Sequence, residues 1–181
     1  QPPRGGRGHG TEAGGMSGMG GHQSPASENE VWLTPPDILA ALGRFDLDPC
    51  ACPDPRPWAT ADQHYTREDN GLMKAWAGRV FLNPPYGGPS IIGPWMRRMV
   101  HHRIGIALTF ARTETEIFHK TVWSEASAVL FLLGRLHFYH PNGSRAKSNA
   151  GAPSVLIAYG RADATILRKC GLPGHFVSLE S

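Results

Sequence analysis

Arg79-Val80-Phe81-Leu82-Asn83-Pro84-Pro85-Tyr86 runs from an apolar strand into a polar and aromatic turn. Three consecutive large apolar residues followed by turn formers fit a buried strand, and Pro84 and Pro85 end it, because each fixes φ at about −65° and supplies no N–H. The carbonyls at the strand end are then free to accept from something other than the chain. The Asn83 side-chain oxygen is a second acceptor. Two acceptors held side by side match the two protons of a planar aromatic NH₂ group, and the Tyr86 ring offers a surface for the same heterocycle. Asn-Pro is also a common turn opener, and a strand can simply stop there.

Outward from this stretch, strands and helices alternate. Thr34 to Gly43 predicts a short helix with Thr34 as N-cap, Pro35 in the first turn and Gly43 as the left-handed stop. Arg44 to Asp48 predicts a strand with Phe45 and Leu47 on one face, ended by Pro49. Residues 53–70 are rich in Pro, Asp and Thr, with room for a short strand near His64-Tyr65-Thr66. Further strands are expected over Trp76 to Leu82, Ile104 to Phe110, Ala128 to Leu133 and Pro153 to Tyr159, the last strong strand. Helices are expected over Pro94 to Arg103 and Thr115 to Trp123. This alternation argues for an α/β fold with a mostly parallel sheet flanked by helices, whose ligands sit at the carboxyl ends of the strands. Asp48 and Asn83 are both expected at such ends.

A chain of 181 residues fits one domain. Residues 1–29 are Gly-rich with almost no bulky apolar side chains, which predicts a disordered tail, leaving 30–181 as the folded unit. Lys+Arg 18 against Asp+Glu 15 gives +3; removing Arg4, Arg7, Glu12, Glu28 and Glu30 leaves 16 against 12, or +4. Such a balance permits nucleic-acid binding without demanding it. Cys50, Cys52 and Cys170, with no apolar run near membrane-spanning length, point to a soluble, cytoplasmic protein with reduced thiols. Cys50-Ala51-Cys52 with His64 lacks the second paired half of a structural zinc site, so no metal is expected.

The order of several short motifs resembles the phage-type DNA adenine methyltransferases (the Dam family). Trp32-x-Thr34-Pro35, Phe45-x-Leu47-Asp48-Pro49-x-Ala51, Asp69-x-Gly71-Leu72 and Trp76-x-Gly78 precede Asn83-Pro84-Pro85-Tyr86, and Ala111-Arg112-Thr113-Glu114-Thr115 and Gly134-Arg135-Leu136-x-Phe138 follow. The likeness runs from about residue 30 to 160. It implies a Rossmann-like, S-adenosylmethionine-dependent methyltransferase fold in one domain, encoded by a phage or its bacterial host. It also implies double-stranded DNA as partner. On this resemblance Trp32, Thr34 and Pro35 line the methionine side of the cofactor, Asp48 holds its ammonium beside the Pro49-Cys50-Ala51 turn, and Asp69 meets its adenosine. Each has an ordinary alternative: Trp32 as core, Thr34 as a helix cap, Asp48 and Asp69 as turn residues. Cys50 and Ala51 stand where a glycine-rich nucleotide fingerprint would have glycines.

The chemistry implied is methyl transfer to the exocyclic N6 amine of adenine. That nitrogen's lone pair is spread into the ring, so Asn83 and the Pro84 carbonyl would hold its protons and direct the lone pair outward, with Pro85 and Tyr86 completing the catalytic turn. Inside a duplex the amine is out of reach, so the base must leave the stack, at a cost of a few kcal/mol that stacking on Tyr86 partly offsets. Arg112, Arg135, Arg145 and Lys147 are candidates for backbone contacts, although a solvated loop explains the last two as well. Alternative acceptors are a protein glutamine amide, an RNA base amine or a cytosine amine. A non-catalytic nucleic-acid-binding module on the same fold is the remaining alternative.

Overall fold

The computed structural model describes residues 32–179, so the tail expected over 1–29 lies outside them. The strands are β1 (Leu47–Asp48), β2 (Gln63–His64), β3 (Val80–Leu82), β4 (Gly105–Phe110), β5 (Ala128–Leu132), β6 (Ser154–Tyr159) and β7 (Gly174–Ser178). They form one 7-stranded sheet in the order β2-β1-β3-β4-β6-β5-β7. Pairings from β2 through β4 are parallel, and those of β4 with β6, β6 with β5 and β5 with β7 are antiparallel. Following these pairings across the sheet, β1 to β5 all run one way and β6 and β7 run against them. The sheet is mostly parallel by strand direction and mixed by pairing.

Side chains alternate across the strands with the period of two that a pleated backbone imposes. Phe81, Ile106, Leu108, Leu130 and Leu156 pack on one face. Val80, Leu82, Ala107, Val129, Val155 and Ile157 pack on the other. Helices α1 (Pro36–Leu42) and α4 (Arg161–Lys169) cover the first face through Ile38, Leu42 and Leu167. The second face is covered by α2 (Pro89–His102), by α3 (Glu116–Phe118) and by the π-helical turn His119–Trp123, which contribute Met96, Met99, Phe118 and Val122. Burial on both faces explains why the central strands read as unbroken apolar runs.

Several local expectations are corrected. Thr34 is not an N-cap: Pro35 holds that position at φ −53° and ψ 136°, and α1 has no side-chain cap. A residue before proline is pushed out of the helical region, and Pro35 itself precedes Pro36, so the helix cannot begin before Pro36. Gly43 does end α1 with φ 79°, its N–H donating to the Leu39 carbonyl at 3.0 Å. Phe45 and Leu47 lie on opposite faces of the sheet. The amides of Asp46 and Leu47 both donate to the Arg79 carbonyl, at 2.8 and 3.3 Å, a bulge that inserts one residue and breaks the alternation.

α2 begins at Pro89, ahead of the expected Pro94, because Gly88 is extended and Pro89 suits the first helical turn. β6 is the last fully buried strand, and α4 and β7 follow it. β7 is an edge strand with no fully buried residue, so it carries little hydrophobic signal.

Candidate active site

Because β1, β3 and β4 are parallel neighbours, their carboxyl ends share one edge of the sheet. Asp48 closes β1 and Asn83 follows β3; Leu47 lies opposite Val80 in the register. In that register Asp48 falls level with Phe81, so Asn83 emerges on the neighbouring strand two residues further along the same edge, a step of roughly 7 Å. Arg112 follows β4 and Arg135 follows β5 on the same edge, both exposed.

Asn83 is half-buried, with Pro84 buried and Pro85 exposed behind it. Its side-chain amide is held at both ends: Nδ2 donates to Thr34 Oγ1 at 3.3 Å, and Oδ1 accepts from the Tyr86 hydroxyl at 3.0 Å. A carbonyl oxygen has two lone pairs, so Oδ1 keeps one acceptor site beyond the Tyr86 bond. The Tyr86 ring stacks on Phe110 at 4.2 Å between centroids and meets the Phe138 ring edge-on at 6.1 Å. Burial raises the Tyr86 phenol, so the hydroxyl stays protonated and able to donate.

Asp48 is 3 % exposed. Its Oδ1 accepts from the Cys50 amide at 2.9 Å and its Oδ2 from the Thr60 hydroxyl. Burial lifts its carboxyl to about 6, against the opposing pull of Thr60, the Cys50 amide and the more distant Arg56. None of the ion pairs among the described residues involves Asp48. A buried carboxylate without a cation is costly, and a ligand's positive charge would relieve it.

Pro49 and Ala51 are buried and Cys50 is half-buried, and the turn is fixed by the Ala51 amide donating to the Tyr65 carbonyl at 2.9 Å. Asp69 lies in an exposed turn where its Oδ2 accepts from the Thr66 amide and hydroxyl at 2.8 and 3.0 Å, bonds that lower its carboxyl. Gly71, two residues on, packs so closely that a Cβ there would sit 2.2 Å from the Pro49 carbonyl oxygen. The Asp69 turn is therefore seated against the Asp48 turn.

Trp32, Thr34 and Pro35 form a wall beside Asn83. Leu33 exchanges amide bonds with Tyr139, at 2.8 and 3.0 Å, and the Trp58 indole N–H donates to the Thr34 carbonyl at 3.1 Å. Trp32 packs at 5.0 Å from His140. The polar segment from His137 to Gly151 is thus folded against this wall, and its Phe138 reaches Tyr86. An open groove of about 450 Å³ runs along the outside, lined by Pro35, Pro36, Asp37, Arg135, Tyr139 and Arg145 among others. Arg135 and Arg145 come together there, while Lys147 is exposed further along the same segment and Arg112 at the end of β4.

Sequence reasoning did not single out Thr60, Trp58 or Phe110. No motif marks them, since their contacts with Asp48, Thr34 and Tyr86 arise from tertiary packing. Phe138 does fall within the Gly134-Arg135-Leu136-x-Phe138 stretch. Among the described residues no group of three or more His, Cys, Asp or Glu is placed to hold a metal ion, and no helix is long and apolar enough to cross a membrane. His64 uses its Nε2 to accept from the Thr60 and Ala61 amides, each at 3.3 Å, and burial lowers its pKa.

The family model described as DNA N-6-adenine-methyltransferase (Dam) matches residues 21–168. No curated protein and no solved structure matches the chain.

Proposed function

The chain belongs to the DNA N-6-adenine-methyltransferase family, enzymes of adenine-specific DNA methylation, and from that premise we propose that the edge formed by Asp48 and Asn83 is where the methyl group is transferred. The observation that carries this reading is the pairing of parallel β1 and β3, which brings a buried carboxylate without an ion-pair partner and an amide acceptor to one sheet edge on neighbouring strands. That donor set fits S-adenosylmethionine, whose ammonium Asp48 would receive. Trp32, Thr34 and Pro35 would flank its methionine portion, Pro49, Cys50 and Ala51 would form the turn beneath it, and Asp69 would meet its adenosine. When bound, it supplies an electrophilic methyl group.

The remaining chemistry belongs to the chain. Asn83 Oδ1 and the Pro84 carbonyl would accept the two protons of the adenine N6 amine, drawing its lone pair out of conjugation. Pro84 and Pro85 keep the turn rigid, so neither acceptor has to reorganise during the reaction. The base would reach this pocket by leaving the duplex and resting on Tyr86, whose ring is already steadied by Phe110. Arg112, Arg135, Arg145 and Lys147 would contact phosphates along the same edge.

The single-domain, Rossmann-like organisation over 30–181 belongs to the same reading, supported by the one sheet with helices on both faces. Tritium-labelled methyl transfer from S-adenosylmethionine to unmethylated duplex DNA, followed by nucleoside analysis, tests it. Label is expected in N6-methyladenine. Label found solely in protein or RNA would contradict it.

A further inference from the structure

Thr34 is 1 % exposed, and its hydroxyl does not cap α1. A buried hydroxyl needs a partner, and here the partner is the Asn83 side-chain amide, at 3.3 Å. Valine would fill the same space without the polar atom, so packing alone does not call for threonine. We propose that Thr34 is a positioning residue, whose hydroxyl fixes the plane and reach of the Asn83 amide. The inference rests on the reading of Asn83 as the acceptor for the target amine.

Three independent restraints hold Thr34 still. The reciprocal amide bonds between Leu33 and Tyr139 fix the backbone before it, and the Trp58 indole N–H holds its own carbonyl at 3.1 Å. The Pro35-Pro36 pair stiffens the backbone after it. On its far side the Asn83 amide is met by the Tyr86 hydroxyl at 3.0 Å, so both polar atoms of the amide are tied and rotation about its last bond breaks two hydrogen bonds at once. Preorganisation of this kind acts on the reacting geometry and not on cofactor affinity. Thr34 thereby transmits the position of the 32–34 wall, and of the 137–151 segment paired with it through Tyr139, to the acceptor.

The full-length chain with Thr34→Val, which keeps shape and removes the hydroxyl, and Thr34→Ser, which keeps the hydroxyl, separates this role from a lining role. Single-turnover methyl transfer to amplified, unmethylated duplex DNA should fall about tenfold in Thr34→Val, the scale of one neutral hydrogen bond, and recover largely in Thr34→Ser. Because Thr34 is 1 % exposed and its hydroxyl is engaged by Asn83, the S-adenosylmethionine Kd should change less than twofold in both, even with the Thr34 backbone flanking the methionine portion. In an Asn83→Ala background Thr34→Val should have no further effect.

A second readout does not depend on activity: the Asn83 side-chain amide resonances, assigned by their disappearance in Asn83→Ala, should shift strongly in Thr34→Val and little in Thr34→Ser. Equal rates in all three proteins, a rate loss matched by a weaker cofactor Kd, or unmoved amide resonances would overturn the proposal. If the wild-type chain labels no DNA, the functional reading fails, and the resonances alone decide the role of Thr34.

Discussion

Tyr86 contributes more than a ring. Sequence suggested a stacking surface; the hydroxyl's 3.0 Å bond to Asn83 Oδ1 makes loss of the hydroxyl costly too. Tyr86→Phe should slow transfer up to about tenfold on any DNA, the worth of a neutral hydrogen bond. Tyr86→Ala should lose more on paired DNA than on DNA with a mismatched target adenine, because stacking of about 1 to 3 kcal/mol helps offset extrusion. Equal losses on both substrates would assign Tyr86 to pocket shape alone.

At Asp48 the pH response has two opposed signs. Its carboxyl is raised to about 6 in the folded chain from the ordinary 3.8, so between these the folded state holds a proton that the unfolded state has lost. Its contribution to stability is therefore present at low pH and lost as pH rises through about 6. Ammonium binding requires the carboxylate and should weaken as pH falls from 7 to 5. Asp48→Asn should flatten both trends and weaken S-adenosylmethionine by roughly 1.5 to 3 kcal/mol at pH 7. Calorimetry at the two pH values checks this; equal wild-type affinity at both would remove Asp48 as the ammonium's partner.

Among the elements, β4, β5 and β6 lie within a residue or two of their expected bounds, because both faces of each are buried and the apolar runs are unambiguous. Elements that depend on backbone detail were not legible: the bulge at Asp46 and Leu47 reverses a face, and the double proline moves the start of α1. The turn Asn83-Pro84-Pro85-Tyr86 was legible because it is local. Its supports, Thr60, Trp58 and Phe110, were not, because each arrives from a distant segment. Gly71 shows how two turns share one requirement. Its hydrogen faces the Pro49 carbonyl, and any Cβ would sit 2.2 Å from that oxygen. Gly71→Ala should therefore cost about 1 kcal/mol or more in stability and displace the Asp48 turn, weakening cofactor binding. A melting temperature and a cofactor Kd both equal to wild type would show that the two turns move independently.

For the molecule as a whole, the arrangement of strand directions matters most. With β1, β3, β4 and β5 all ending on one edge, the buried Asp48 carboxylate, the Asn83 amide and Arg112 and Arg135 are gathered there by topology. The net +3 charge gave little sign of DNA, and the cations proposed to meet phosphate are few and local. If Arg145 contacts a phosphate, Arg145→Ala should lower the slope of log affinity against log salt by about 1 without changing which adenines are methylated. A changed site preference with an unaltered slope would make it a base reader.

The central claim is that the Asn83 amide acts on the target amine and not on the cofactor. Its most direct test is the single-turnover rate of Asn83→Ala on unmethylated duplex DNA at saturating S-adenosylmethionine. A fall of about 10²-fold or more is expected, with cofactor affinity retained; a rate near that of the wild type would contradict the account.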